Sequence, residues 1–120
     1  DFMLLIYPVI SADIAITHAG SYKNLLGENP SKEELDLYSN EKQVTDKTPP
    51  TFLVHASDDN GVSPNNSIVF YQALIKNKVP AELHIYERGG HGFGMYNKTT
   101  KEEWMDRAKN WMESNGWLKK

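Results

Sequence analysis

The pattern that most restricts the fold is a set of three short apolar runs: FMLLIYPV at residues 2–9, TFLVHA at 51–56 and AELHIYE at 81–87. Continuous runs of this length, rich in β-branched and aromatic residues, are expected of strands covered on both faces, as in a parallel sheet. The segments between them carry helix signals. Ser31 and Glu34 have the spacing of a capping box, which places a short helix in SKEELDLYS, residues 31–39. In PNNSIVFYQALIKNKV, Ile68, Tyr71, Leu74 and Ile75 recur at helical spacing behind Pro64, a residue suited to a first turn. A second capping-box pair, Thr100 and Glu103, opens a last helix that Gly116 closes. Residues 10–30 hold one helical turn at most, around residues 22–26, before the breakers Gly27 and Pro30, and NEKQVTDKTPP reads as a polar connector. Strand alternating with helix three times predicts an α/β fold of three parallel strands joined by crossovers, with helices flanking the sheet.

The rest of the composition narrows the partners. With 120 residues, 39% hydrophobic and 24% charged, the chain reads as one globular unit. Its net charge is −3 and its Lys and Arg residues are dispersed, so it lacks the basic stripe that displaces counterions from phosphates, and no nucleic-acid partner is expected. No apolar run approaches the roughly 18 residues of a membrane span, and the first residues lack a signal peptide's basic start and cleavage site. No membrane association is therefore expected. Zero cysteines exclude disulfides and thiolate metal sites without fixing a compartment.

Chemistry concentrates in ERGGHGFGM, where His91 stands among four of the eight glycines. Such a stretch fits a surface turn, a phosphate-cradling loop or a loop shaped around a site. In open α/β sheets the working groups gather beyond the carboxyl ends of the strands, which brings the loops after residues 9, 56 and 87 to one edge. The second of these loops carries Asp58 and Asp59, and the third carries His91. A carboxylate that accepts from one ring nitrogen fixes a histidine's tautomer and stabilises its protonated form, leaving the other nitrogen to activate a nucleophile. An Asp and His91 would supply two members of a Ser-His-Asp triad. The glycines run G-x-G-x-G rather than G-x-G-x-x-G, and no further strand follows the last helix, so a nucleotide site is the least favoured reading. His55 ends one strand and His84 lies inside another, and both read as satisfied core or sheet-face residues. His18 could border a pocket, but no histidine has zinc-ligand spacing, and neither a metal nor a cofactor is expected. Trp104 and Trp111 stand seven residues apart on one helical face, with Trp117 just beyond, a pattern that favours core packing over sugar stacking.

The stretch PPTFLVHASDDNGVSPNNSIVFYQALIKNKVPAELHIYERGGHGFG resembles the C-terminal part of α/β-hydrolase-fold serine esterases of the acetyl-esterase and acetylxylan-esterase-like group. The likeness runs through essentially the whole chain, from LLIYPVIS through HAGSYKNLLG, within a lid or connector at 10–30, to the His loop and the final helix. In that group the triad acid lies in H-G-x-x-D-x-x-V. His55, Asp59 and Val62 match, with Ala56 in the glycine position. The resemblance implies Asp59 as catalytic acid and His91 as catalytic base, and leaves Asp58 to close an Asx turn before Asn60 and Gly61. It also implies a carboxylic ester hydrolase acting on acetyl or other short-acyl esters, including those of carbohydrates, without a cofactor. Dienelactone hydrolases, with a cysteine nucleophile, and oligopeptidases share the architecture.

The departure from this pattern is large. The fold's G-x-S-x-G nucleophile elbow is missing, and Gly61-Val62-Ser63-Pro64-Asn65 lacks the closing glycine, so Ser63 reads as a helix cap. Without a nucleophile or an oxyanion-hole loop, the chain alone is expected to be inactive as an esterase. The alternative is a non-catalytic interaction module derived from the same fold. In either case residues 2–9 would leave a bare apolar strand edge, from which self-association or pairing with the missing N-terminal half is expected.

Overall fold

The computed structural model describes residues 1–118. The three apolar runs form one parallel sheet: β1 (Met3–Ile6), β2 (Thr51–Ala56) and β3 (Ala81–Tyr86), side by side in chain order. Met3 lies beside Thr51, and Thr51 beside Ala81. The central strand β2 is buried at every position, which accounts for its lack of polar alternation. On one face, Leu53 packs with Phe70 and Leu74 of α3 (Asn65–Lys76) and with Ile10, Val44 and Val79. On the other, Phe52 and Val54 meet Trp104, Ala108 and Trp111 of α4 (Trp104–Ser114). Each large apolar side chain removed from water there contributes about 1.5–3 kcal/mol. The tryptophans are thus core residues, and Phe2 extends the cluster by stacking on Trp117 at 4.9 Å.

Several local features depart from the sequence expectation. β1 ends at Ile6 rather than running to residue 9, because Tyr7 adopts φ +40°, which takes the backbone out of the pleat after one last bond from its N–H to the Val54 carbonyl. The single turn expected near Tyr22 is a full helix, α1 (Ala19–Leu26). His18 caps it through Nδ1, which accepts the Ser21 N–H, and the buried Tyr22 hydroxyl donates to the carbonyls of Ile10 and Tyr38. Burial, and secondarily the nearby Glu41 carboxylate, push the Tyr22 phenol up to about 12. α2 (Lys32–Leu37) starts on the reciprocal capping box of Ser31 and Glu34, and a 3₁₀ turn at Asn40–Lys42 interrupts the connector and packs on α3.

Two helix assignments shift. The buried stripe of α3 is Asn66, Ser67, Phe70 and Leu74, while Ile75 is exposed. Asn66 can face inward because every polar atom is satisfied: Oδ1 accepts the amides of Ile10 and Ser11, and Nδ2 donates to the carbonyls of Ile16 and Ser63. It thereby pins the loop after β1 to α3. The last helix begins at Trp104, not at Thr100. Thr100 Oγ1 accepts the Glu102 N–H, and the Tyr86 hydroxyl donates to the Glu102 carbonyl, so these residues form an anchored turn outside the helix. Gly116, at φ +74°, ends α4: its amide and that of Trp117 donate to the carbonyls of Glu113 and Met112.

Candidate active site

Asp59 follows β2 in a tight turn, and its side chain has no exposed surface. Oδ1 accepts the amides of Gly61 (2.9 Å) and Val62 (2.8 Å), which makes Asp59 the owner of the Asx turn. Oδ2 lies 2.8 Å from His91 Nδ1 and 3.1 Å from His55 Nε2. Burial pushes the carboxyl up, but the Val62 amide, the His91 ring N–H and the Gly61 amide together outweigh it and hold the group below the usual carboxylate range. Asp59 is therefore ionised at neutral pH and can only accept hydrogen bonds.

His91 arrives from the loop after β3. Gly90 at φ +61° and Gly92 at φ +82° give left-handed backbone on both sides of it, which only glycine adopts at low cost. The loop is tied at two points. Asp58 Oδ1 accepts the Gly90 amide at 2.8 Å, so this carboxylate fastens the histidine loop instead of closing a turn before Asn60 and Gly61. Buried Asn97 donates to the Arg88 carbonyl and accepts the Thr99 amide, and it packs so closely on Gly89 that a β-carbon there would lie 2.7 Å from Asn97 Nδ2. Behind the imidazole stands an aromatic row, with Tyr7 at 4.7 Å from His91 between ring centroids, Phe93 at 5.0 Å from Tyr7 and Tyr86 at 5.7 Å from Phe93.

The chemistry follows from donor and acceptor roles. The ionised Asp59 requires a proton on His91 Nδ1, which leaves the Nε2 lone pair pointing away from the carboxylate. The His91 side chain is 43% exposed, and its Nε2 has no hydrogen-bond partner among the described residues. An imidazole held at one nitrogen and open at the other is arranged as a general base.

The remaining candidates sort by position. His84 bonds Glu82 Oε1 at 2.6 Å and stacks on Phe52 on the sheet, and His18 is a helix cap. The Ser63 hydroxyl accepts the Asn65 amide at the start of α3. His55 is a satisfied core residue as expected, yet it also touches Asp59, which the sequence reading missed. The signal was present: β2 alternates faces, so the residue after Val54 must point toward α3, the side from which the Asp59 turn returns. Among the described residues no group of three or more His, Asp or Glu could hold a metal ion, and no helix is long and apolar enough to cross a membrane.

A parallel sheet with an Asp–His pair on two adjacent strand-end loops defines an α/β-hydrolase. More narrowly, the chain belongs to the prolyl oligopeptidase family, whose model matches residues 7–116. It is 41% identical over 104 residues to endo-1,4-β-xylanase B of Butyrivibrio fibrisolvens, covering 87% of this chain and 16% of that protein. It is 37% identical over 98 residues to an acetylxylan esterase of Xylanibacter ruminicola, covering 78% of this chain and 20% of that protein. The crystal structure of an acetyl ester-xyloside bifunctional hydrolase from Caldicellulosiruptor lactoaceticus superposes with a TM-score of 0.94 at 45% identity, over 99% of this chain and 44% of that one. The chain thus spans a minor part of each relative.

Proposed function

We propose that this chain supplies the acid and the base of a serine carboxylic ester hydrolase that removes acetyl or other short acyl groups, with acetylated xylan-type carbohydrate as the substrate class. The reading rests on the Asp59–His91 contact with His91 Nε2 left open, and the esterase and xylanase names among the relatives support the substrate class. In the proposed reaction His91 Nε2 takes the proton of a serine hydroxyl as that oxygen attacks the ester carbonyl, then returns it to the departing alcohol. Asp59 stabilises the imidazolium in between, and water repeats the sequence on the acyl-enzyme. The serine lies outside this sequence, which has no G-x-S-x-G. The chain by itself therefore does not turn over p-nitrophenyl acetate or acetylated xylan above background, whereas a protein that completes the domain with an elbow serine does, and loses that activity on His91→Ala. Turnover by the chain alone that His91→Ala abolishes would overturn the split.

The same reading accounts for the sheet edge. Among the described residues β1 pairs only with β2, and Met3, Leu5, Ile10, Val44 and Phe70 line an apolar cleft of about 400 Å³ beside it. We propose that the free edge of β1, Met3–Ile6, takes up a further strand, from the segment that carries the nucleophile or, without it, from a second copy of the chain. Light scattering on the chain alone then shows dimers or larger species, and a stable monomer at high micromolar concentration, with slowly exchanging β1 amides, would count against it.

A further inference from the structure

His55 has no exposed surface and every polar atom of its ring is engaged. Nδ1 lies 2.7 Å from the Ser67 hydroxyl on α3, and Nε2 lies 2.9 Å from the Val62 carbonyl and 3.1 Å from Asp59 Oδ2. The carbonyl and the ionised carboxylate only accept, so Nε2 carries the proton. Nδ1 then accepts from Ser67. Burial pushes this imidazole down, against the Val62 carbonyl and Asp59, which pull it up, and keeps it neutral. A chain of donors results: Ser67 to His55, and His55 to the same carboxylate oxygen that holds His91.

We propose that His55 is a positioning residue for the Asp59–His91 pair, sharing Oδ2 so that part of the buried charge is already neutralised by hydrogen bonding and Asp59 does not draw a proton onto His91 at working pH. This rests on the general-base reading of His91. A base must be unprotonated to act, and a carboxylate with fewer donors holds an imidazolium more strongly, so removing His55 raises the pH at which His91 charges. The Ser67 hydroxyl strengthens His55 as a donor by polarising its ring. The other titratable or charged groups around His91 stay the same in every variant: Asp58 at Gly90, Tyr7 from the end of β1, and Tyr96 and Lys98 across its own loop.

The test combines histidine NMR with kinetics. In the unmodified protein, ¹⁵N shifts should show His55 as the neutral Nε2–H tautomer from about pH 5 to 8, the range over which an ordinary histidine titrates. A charged ring or the Nδ1–H tautomer overturns the proposal. In His55→Leu, His91 should bind its proton about three- to tenfold more tightly, the scale of one ordinary net hydrogen bond acting through the shared oxygen, and His55→Gln, which keeps a donor at similar reach, should restore it. Ser67→Ala should move it the same way by less, and it carries the test if His55→Leu does not fold. An unmoved or weakened His91 proton in these variants overturns the proposal. In the domain completed with its nucleophile, the acid limb of kcat/KM should shift upward in step, with KM little changed. Absence of any esterase activity would sink the functional reading and leave the NMR result to decide the role of His55.

Discussion

The two loops that meet at the site solve opposite problems. The Asp59 turn holds a buried charge, and it does so by excess: four donors from three directions converge on one carboxylate that solvent does not reach. The His91 loop presents a half-exposed group, and it is held away from the imidazole, at Gly90 by Asp58 and at Arg88 by Asn97 and Thr99. The buried carboxylate is fixed at its own atoms. The half-exposed imidazole is fixed through its backbone and one nitrogen.

The largest test of this contrast is Asp59→Asn in the completed enzyme. By presenting an amide N–H to His91 it permits the wrong tautomer and should lower kcat by about 10⁴, as the equivalent change does in serine proteases. Asp58→Asn should cost far less, since that side chain holds a single amide at the surface, and a reversed ranking in steady-state kinetics would assign the acid to Asp58. Gly89→Ala comes next: its β-carbon would strike Asn97, which is buried and committed to Arg88, so urea unfolding should show a loss of about 1–3 kcal/mol.

Acid should separate the two buried groups near the turn. His55 is lowered in the folded state, so the unfolded chain takes up a proton there that the folded one refuses. The stability it contributes is complete above its unfolded value of about 6.5 and falls as pH drops below that. Asp59 is also lowered, so its contribution is complete above about 3.9 and is lost only as pH falls through its folded value. Denaturant midpoints followed down the pH scale should thus decline in two stages. His55→Gln should abolish the upper one and Asp59→Asn should flatten the lower. The smallest effect is expected of Gly61→Ala, whose added methyl would come no closer than 3.4 Å to His91 and 3.5 Å to Asp59. Calorimetry should place it within about 0.5 kcal/mol of the parent.

Much of the scaffold was legible because burial writes itself as continuous apolar sequence: TFLVHA had to be covered on both faces, and it is. The capping box at Ser31 and the glycine stop at Gly116 are local chemistry and could be read locally. Errors arose where distant atoms override local preference. Thr100 has the spacing of a cap, but Tyr86 from β3 ties Glu102 into a turn first. The spacing of Ile68, Tyr71, Leu74 and Ile75 finds Leu74 but misses Asn66 and Ser67, which look like surface residues until the loop after β1 and His55 of β2, which consume their hydrogen bonds, are in place. For the same reason Asp58 and Asp59 could be told apart only by resemblance. Their partners, Gly90 and His91, are neighbours in sequence, and nothing local says which carboxylate reaches which.

The alternation along β2 ties the chemistry to the accuracy of folding. Because successive side chains face opposite ways, a slip of β2 by one residue would turn His55 toward Trp104 and Trp111 and swing Phe52 and Val54 toward α3. The imidazole would then be buried with no partner for either nitrogen, at a cost of about 1–3 kcal/mol per unsatisfied group, and the Asp59 turn would lose its anchor. An all-apolar strand would tolerate the slip far better. His55, buried one place before the strand's last residue Ala56, therefore acts as a proofreader of strand alignment: a misaligned chain loses stability, and the population that survives folding is the one in which the Asp59 turn is anchored.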